Sequence, residues 1–196
     1  MTNLILASQS PRRKSLLTQL GYEFSCMPAN IDETPKVGEQ PADYVARLSF
    51  EKATNIADSI IADLTEDKTP FAVLGSDTSV VIDGRILGKP EDFNDFADMM
   101  NLLSGNCHQV MTAISVVTNQ TSETQVIVAD VYFASLTEQD IKAYWETGEP
   151  QDKAGGYGIQ GIAGKFVTKI NGSYSAIVGL PLYETNQLLN QMLTVN

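Results

Sequence analysis

Leu4-Ile5-Leu6-Ala7-Ser8-Gln9-Ser10-Pro11-Arg12-Arg13-Lys14 reads as a short buried strand that runs straight into a helix. The apolar tetrapeptide suits a strand. Ser10 is a good N-cap, and Pro11 suits the first helical position, where its missing N–H costs nothing. Three consecutive cations then stand at the helix start in a chain whose formal net charge is −11. Unpaired backbone N–H groups and the positive end of the helix dipole favour an anion there, and a guanidinium adds two parallel charge-assisted hydrogen bonds. Cations in a first turn oppose the dipole unless an anion is bound. Arg12 and Arg13 therefore point to a phosphate, whereas Lys14 fits a solvated helix face equally well.

Outward from this unit, strand-like and helix-like segments alternate without repeats. Gly21 closes the first helix, Tyr22 to Met27 reads as a strand, and Pro41 opens a long helix with Val45, Leu48, Ile56, Ala57, Ile60 and Ile61 at three- and four-residue spacings. Phe71 to Gly75 is a short strand ending at Gly75-Ser76-Asp77-Thr78, with Val80-Val81-Ile82 continuing toward a turn at Asp83-Gly84. A helix from Asp92 to Leu103, strands at Val110–Val117 and Val126–Phe133, and a Thr137/Asp140 capping box opening a helix to Thr147 follow. After a Gly-rich stretch, Phe166 to Ile170 reads as a strand, Asn171-Gly172 as a hairpin turn pairing it with Ser173–Val178, and Pro181 as the start of a last helix. The expected fold is mixed α/β, a central sheet flanked by helices, in a single domain over residues 1–196.

Composition narrows the function. At 196 residues and 43% hydrophobic the chain can bury one good core. A pI near 4.4 argues against general nucleic-acid or anionic-membrane binding, which need broad basic surfaces; an anionic ligand must be small and held by a few focused cations. Cys26 and Cys107 offer neither a disulfide framework nor zinc spacing, which suits the cytosol. No apolar run approaches the ~20 residues of a membrane span, and no signal peptide is legible.

Several polar positions interrupt the apolar segments. Asp32, Glu33 and Asp77 are carboxylates at loop or strand-end positions, suited to Mg²⁺ or Mn²⁺ with water completing the shell. The apolar flanks of Asp77 draw it inward, where a charge needs a metal or a cation; Asp32 also fits an ordinary turn. Lys52 on the long helix and Lys89 in Gly88-Lys89-Pro90 can each bind phosphate as a point charge, although a solvated lysine is the default for Lys52. Gly155, Gly156, Gly158 and Gly161 allow close backbone approach to a ligand, and Gln160 offers donor and acceptor to a base edge. The single histidine, His108, reads as structural or as a support behind a site residue, which leaves a Ser-His-Asp or Cys-His mechanism little support. Trp145 with Tyr144 and Ile141 reads as helix packing.

Taken in order, these clusters resemble the Maf family of nucleoside triphosphate pyrophosphatases, also described as septum-formation inhibitors. The matching pieces are Ala7-Ser8-Gln9-Ser10-Pro11-Arg12-Arg13, Asp32-Glu33, Glu51-Lys52-Ala53, Gly75-Ser76-Asp77-Thr78, Gly88-Lys89-Pro90, Ser104-Gly105 with His108 to Thr112, Glu149 through Gly161, and Gly172-Ser173-Tyr174 through Leu182. They span nearly the whole chain. The resemblance implies two lobes around a deep nucleotide-binding cleft, a divalent metal (Mg²⁺, Mn²⁺ or Co²⁺), a cytoplasmic homodimer, and hydrolysis of a nucleoside triphosphate to the monophosphate and pyrophosphate. The residue matching Asp77 is the family's proton acceptor. Attack of water at the α-phosphorus then gives the residues their expected roles: Asp77 activates the water, directly or as a metal ligand, Glu33 holds the metal, Arg13, Lys52 and Lys89 grip the phosphates, and Ser8, Arg12, Thr78 and Gln160 complete the substrate contacts.

Arg12, Thr78 and Gln160 resemble the subgroup preferring dTTP and UTP; the 7-methyl-GTP subgroup tends to carry Trp, Gln and Glu instead. A neutral Gln both accepts from N3–H and donates to a carbonyl of uracil or thymine, whereas a methylated, cationic guanine suits a Trp face and a carboxylate. Gly156 stands where many relatives have Ala, small for small. The alternatives are a 7-methyl-GTP-type pyrophosphatase and a nucleotide-sensing regulator of cell division acting through a partner. The complete set of acids and cations would be unnecessary for binding alone.

Overall fold

The computed structural model describes residues 2–63 and 70–194. One seven-stranded mixed sheet organises them. Strand β1 (Asn3–Leu6) leads into helix α1 (Pro11–Gln19), then β2 (Ser25–Cys26), a connection over residues 27–40, and the long α2 (Pro41–Asp63). Next come β3 (Phe71–Ile82), β4 (Arg85–Leu87), α3 (Phe93–Leu103), β5 (Cys107–Thr118), β6 (Ser122–Phe133) and α4 (Glu138–Trp145). Three 3₁₀ turns between Glu149 and Phe166 precede β7 (Val167–Asn171), α5 (Tyr174–Val178) and α6 (Leu182–Thr194). The strand order is β2-β1-β3-β5-β6-β7, with β4 paired to the far end of β3. β1 is parallel to β2 and β3, and the pairs from β3 through β7 are antiparallel.

The opening unit forms as its residues dictate: the Ser10 hydroxyl accepts from the Arg13 N–H with Pro11 in the first turn, and Gly21 takes a positive φ of 78° just past the helix. The Thr137/Asp140 capping box also forms. Alternation along β1 sends Leu4 and Leu6 to a core shared with Leu16, Leu17, Leu188 and Leu189. Ile5 and Ala7 go to the opposite face, against Ala53, Ile56 and Ala57 of α2. A third cluster, including Val80, Phe96, Met100, Val131, Tyr144 and Phe166, fills the far half of the molecule. Gly75 lets α2 lie directly on β3, because a Cβ there would collide with the Ser49 carbonyl.

Four expectations need correction. Asp77 does not end a strand: β3 runs unbroken through it, with Asp77 opposite Ala113 of β5, because the long β5 supplies ladder partners along its whole length. Residues 173–178 are not the second arm of a hairpin. The Ser173 hydroxyl caps the Ala176 N–H at 3.2 Å and a helical turn follows, so local side-chain capping outcompetes the Asn-Gly hairpin signal. The strand expected over Tyr22–Met27 shortens to Ser25–Cys26 at the sheet edge, where a single neighbour supplies hydrogen bonds. Ile61 is 52% exposed, beyond the stretch where α2 rests on the sheet.

His108 sits in the core. It is buried, its Nε2 lies 2.7 Å from the Tyr157 hydroxyl, and its ring packs edge-on against Phe133 and Tyr157. Burial pushes its pKa from 6.5 down to about 4. In that window the unfolded chain binds a proton the folded chain refuses. Stability is therefore complete above about pH 6.5 and falls by about 3 kcal/mol as pH drops toward 4. Denaturant midpoints measured across this range should show the loss, and His108→Gln should remove that part of the slope. An unchanged slope would defeat the assignment. Among the described residues no helix is long and apolar enough to cross a membrane.

Candidate active site

A cleft of about 1060 Å³ opens between the α1/α2 side of the sheet and the segment 149–161, near the upper end for ligand sites. It is lined by Arg12, Arg13, Lys52, Lys89 and Lys153 against Glu33, Asp77, Glu149 and Asp152. Five cations against four carboxylates make this a positive island in a chain of net charge −11, the focused arrangement a small anion requires.

Its base is built by β3 and α2. Period-two alternation turns Asp77 toward α2 and Thr78 to the other face. Lys52 Nζ donates to Asp77 Oδ1 at 2.7 Å and lies 2.8 Å from Glu33 Oε1. The Lys52 and Asp77 side chains are only 11% and 10% exposed, and Glu33 is 56% exposed. Lys52 is thus not the solvated lysine that is the default for its type. The signal was present: Val45, Leu48, Ala53, Ile56 and Ala57 mark the buried stripe of α2, and Lys52 falls on it, seven residues after Val45. The ambiguity at Asp32-Glu33 resolves as well, since the Asp32 carboxylate accepts from the Thr34 N–H at 2.9 Å in a turn, while Glu33 reaches the cleft.

Arg13 is held on three sides. Its Nε donates to the Gly179 carbonyl at 2.9 Å, Nη2 to the Thr78 hydroxyl at 3.2 Å and Nη1 to Ser8 Oγ at 3.5 Å. Burial pushes its pKa down and the charge of Asp77 opposes this; a guanidinium stays charged regardless. Gly179 also accepts from Ser76 Oγ at 3.0 Å, so the turn after α5 fastens α1 to β3. Thr78 is not a free hydroxyl, for it also lies 2.9 Å from Thr112 Oγ1. Arg12 lines the cleft half-buried, and Lys89 and Gln160 line it exposed to solvent. Lys14 does not line it.

The glycines of 155–161 do not all serve ligand approach. Gly155 and Gly156, both at positive φ, sit where a Cβ would strike Val80 and the Phe96 ring, so they let the chain pack on the core. Gly158 and Gly161 do line the cleft. Glu149, which opens the matching stretch 149–161 without a role legible in the sequence, accepts from the Tyr144 hydroxyl at 2.8 Å and from the Ile162 N–H at 2.9 Å, bracing the turn that carries Gln160. Asp152 and Lys153 of the same stretch also line the cleft, as does Tyr44, whose type is too common on surfaces to stand out without tertiary contacts.

Among the described residues no three His, Cys, Asp or Glu side chains cluster into a metal cage. Glu33 and Asp77 nonetheless converge on one cation, Lys52. Mg²⁺ is commonly held by one or two carboxylates plus waters and substrate phosphates, and this donor set fits that mode.

A family model described as Maf-like protein matches residues 3–192. The chain belongs to the Maf family. Maf relatives at high identity include proteins named dTTP/UTP pyrophosphatase. That of Colwellia psychrerythraea is 58% identical over 187 residues, covering 95% of this chain and 86% of its own length. Those of Photobacterium profundum and Vibrio parahaemolyticus are each 52% identical, covering 98% and 97% of this chain and 97% of their own. Among solved structures, the Staphylococcus aureus Ham1 protein matches with TM-score 0.38 and 14% identity over 68% of this chain and 72% of its own, a likeness that carries no weight here.

Proposed function

We propose that this Maf protein hydrolyses dTTP and UTP to the monophosphate and pyrophosphate by attack of water at the α-phosphorus. The names of its high-identity relatives support the reaction and the substrates. The observation that carries the chemistry is the Asp77 carboxylate, gripped by Lys52 at the base of a cleft whose wall carries Arg12 and Arg13.

Phosphoryl chemistry needs positioning and charge neutralisation more than covalent participation. Lys52 fixes Asp77 Oδ1, leaving Oδ2 to take the proton of the attacking water. Arg13, already ordered by Gly179 and Thr78, loses little freedom on meeting a phosphate, and Ser8, Arg12, Lys52 and Lys89 add donors along the triphosphate. Glu33 and Asp77 would hold a divalent cation, which supplies charge neutralisation and an acidified water. Gln160 reads the imide edge of the base.

The test is product analysis: purified protein with Mg²⁺, Mn²⁺ or Co²⁺ should convert dTTP and UTP to monophosphate and pyrophosphate faster than GTP or 7-methyl-GTP. Orthophosphate as the product, or binding without turnover, would overturn the reading. Selectivity has its own test in Gln160→Glu, which removes a donor and sets an acceptor against a carbonyl. At about 1–3 kcal/mol for an unsatisfied buried group, kcat/KM on dTTP and UTP should fall roughly ten- to a hundredfold. GTP should suffer less, and equal losses on dTTP and GTP would show that Gln160 supports its loop instead.

A further inference from the structure

Residues 27–40 contain neither helix nor strand, yet they bring Glu33 to within 2.8 Å of Lys52 Nζ. Connections of this length without secondary structure of their own are uncommon and are usually functional or disordered. A lysine is a rotatable point charge and does not by itself fix a half-exposed carboxylate on a loop. Something else must hold the loop's backbone.

We infer that Arg47 and Tyr44, on α2, are positioning residues that clamp the 27–40 segment so that Glu33 stands over the Lys52–Asp77 pair; this rests on the role for Glu33 proposed above. The Tyr44 hydroxyl donates to the Glu33 carbonyl at 2.8 Å. Arg47 Nη2 donates to the next carbonyl, Thr34, at 3.1 Å. The same guanidinium grips Glu39, further along the segment, through Nε at 2.6 Å and Nη2 at 2.8 Å. Its Nη1 reaches back to Glu51 on α2 at 3.1 Å. One planar fork therefore joins the helix to the loop at two places, a geometry open to arginine and closed to lysine. The contact is largely sheltered, with the Arg47 and Glu39 side chains 14% and 8% exposed, and the guanidinium lies 5.6 Å from the centre of the Tyr44 ring. Hydrogen bonding from Arg47 holds the Glu39 pKa down at about 2, so the pair stays charged under working conditions. Arg47 does not line the cleft, which separates its effect from direct contact with substrate.

The experiment is a double-mutant cycle on kcat/KM for dTTP with Arg47→Ala, Glu33→Gln and their combination, with Arg47→Lys and Tyr44→Phe alongside. Misplacement by about 1 Å can cost 10²-fold, so Arg47→Ala should lose about ten- to a hundredfold, mostly in kcat. Arg47→Lys should recover little, and Tyr44→Phe, which removes one hydroxyl, should lose about three- to tenfold. In the Glu33→Gln background, Arg47→Ala should cost no more than about twofold. Hydrogen exchange should quicken at amides 33–39 and stay unchanged in β3 and β5. If Glu33→Gln is impaired but Arg47→Ala is not, the clamp is wrong and the site reading survives. If Glu33→Gln turns over normally, the role of Glu33 and the clamp fail together. If the losses multiply in the double variant, Arg47 supports the fold generally and the proposal falls. Should Arg47→Ala not fold, the same cycle with Arg47→Lys, which keeps the charge and loses the fork, decides.

Discussion

Asp77→Asn is expected to lower kcat on dTTP by about 10²–10⁴-fold, the range supplied by a positioned general base, while nucleotide binding stays measurable by calorimetry. Asparagine keeps the shape and an oxygen acceptor for Lys52 Nζ, now 2.7 Å from Asp77 Oδ1, but takes no proton from water. The cations proposed to meet the phosphates come from other elements: Arg13 from α1, bound to Gly179 and Thr78, and Lys89 from the loop after β4. Affinity should therefore largely survive. Asp77→Ala should behave likewise in turnover. Turnover near the parent rate in either variant would remove Asp77 from the chemistry.

Lys52→Met is expected to cost about 10²-fold or more in kcat/KM and, in metal-free buffer, about 3 kcal/mol of stability, the scale for breaking a sheltered ion pair. Lys52 is the shared partner of Asp77 and Glu33 at 2.7 and 2.8 Å. Without it the two carboxylates face each other with no cation between them. Because the three groups act as a unit, Lys52→Met added to Asp77→Asn should lower turnover little beyond Asp77→Asn alone. Mn²⁺ should raise the melting temperature of Lys52→Met more than that of the parent protein, since a divalent cation supplies the missing positive charge. An equal rise in both, or fully multiplicative losses, would show that Lys52 does not neutralise this pair.

Much of the site is legible in the sequence because its signals are local. Ser10, Pro11 and the arginines announce a strand entering a helix with cations at its start, and the cap forms as written. The capping box at Thr137 forms for the same reason. His108 reads as structural or supporting from the poverty of partners for catalysis, and it is buried against Tyr157. Lys52 is harder, since its identity argues for solvent while its place on the α2 stripe argues for burial. Position prevails because two carboxylates are there to receive the charge. Arg47 and Tyr44 give no signal, and Glu149 only its place in a matching stretch, since an Arg, a Tyr or a Glu shows its role only when its partner is known.

Sequence by itself therefore determined what depends on neighbours along the chain: the opening strand and helix, the capped and glycine-closed ends, the apolar stripe of α2 and the mixed α/β class. Tertiary structure alone decided what depends on partners far along the chain. Lys52 meets Asp77 across 25 positions, and Arg13 meets Gly179 across 166. It also decided that Asp77 lies within β3 rather than at its end, and that residues 174–178 coil beside Thr112, whose hydroxyl donates to the Ala176 carbonyl at 2.8 Å. The physical reason is that capping and φ preferences act within a few residues. Register and burial are instead settled jointly by every strand and helix that packs on the same sheet.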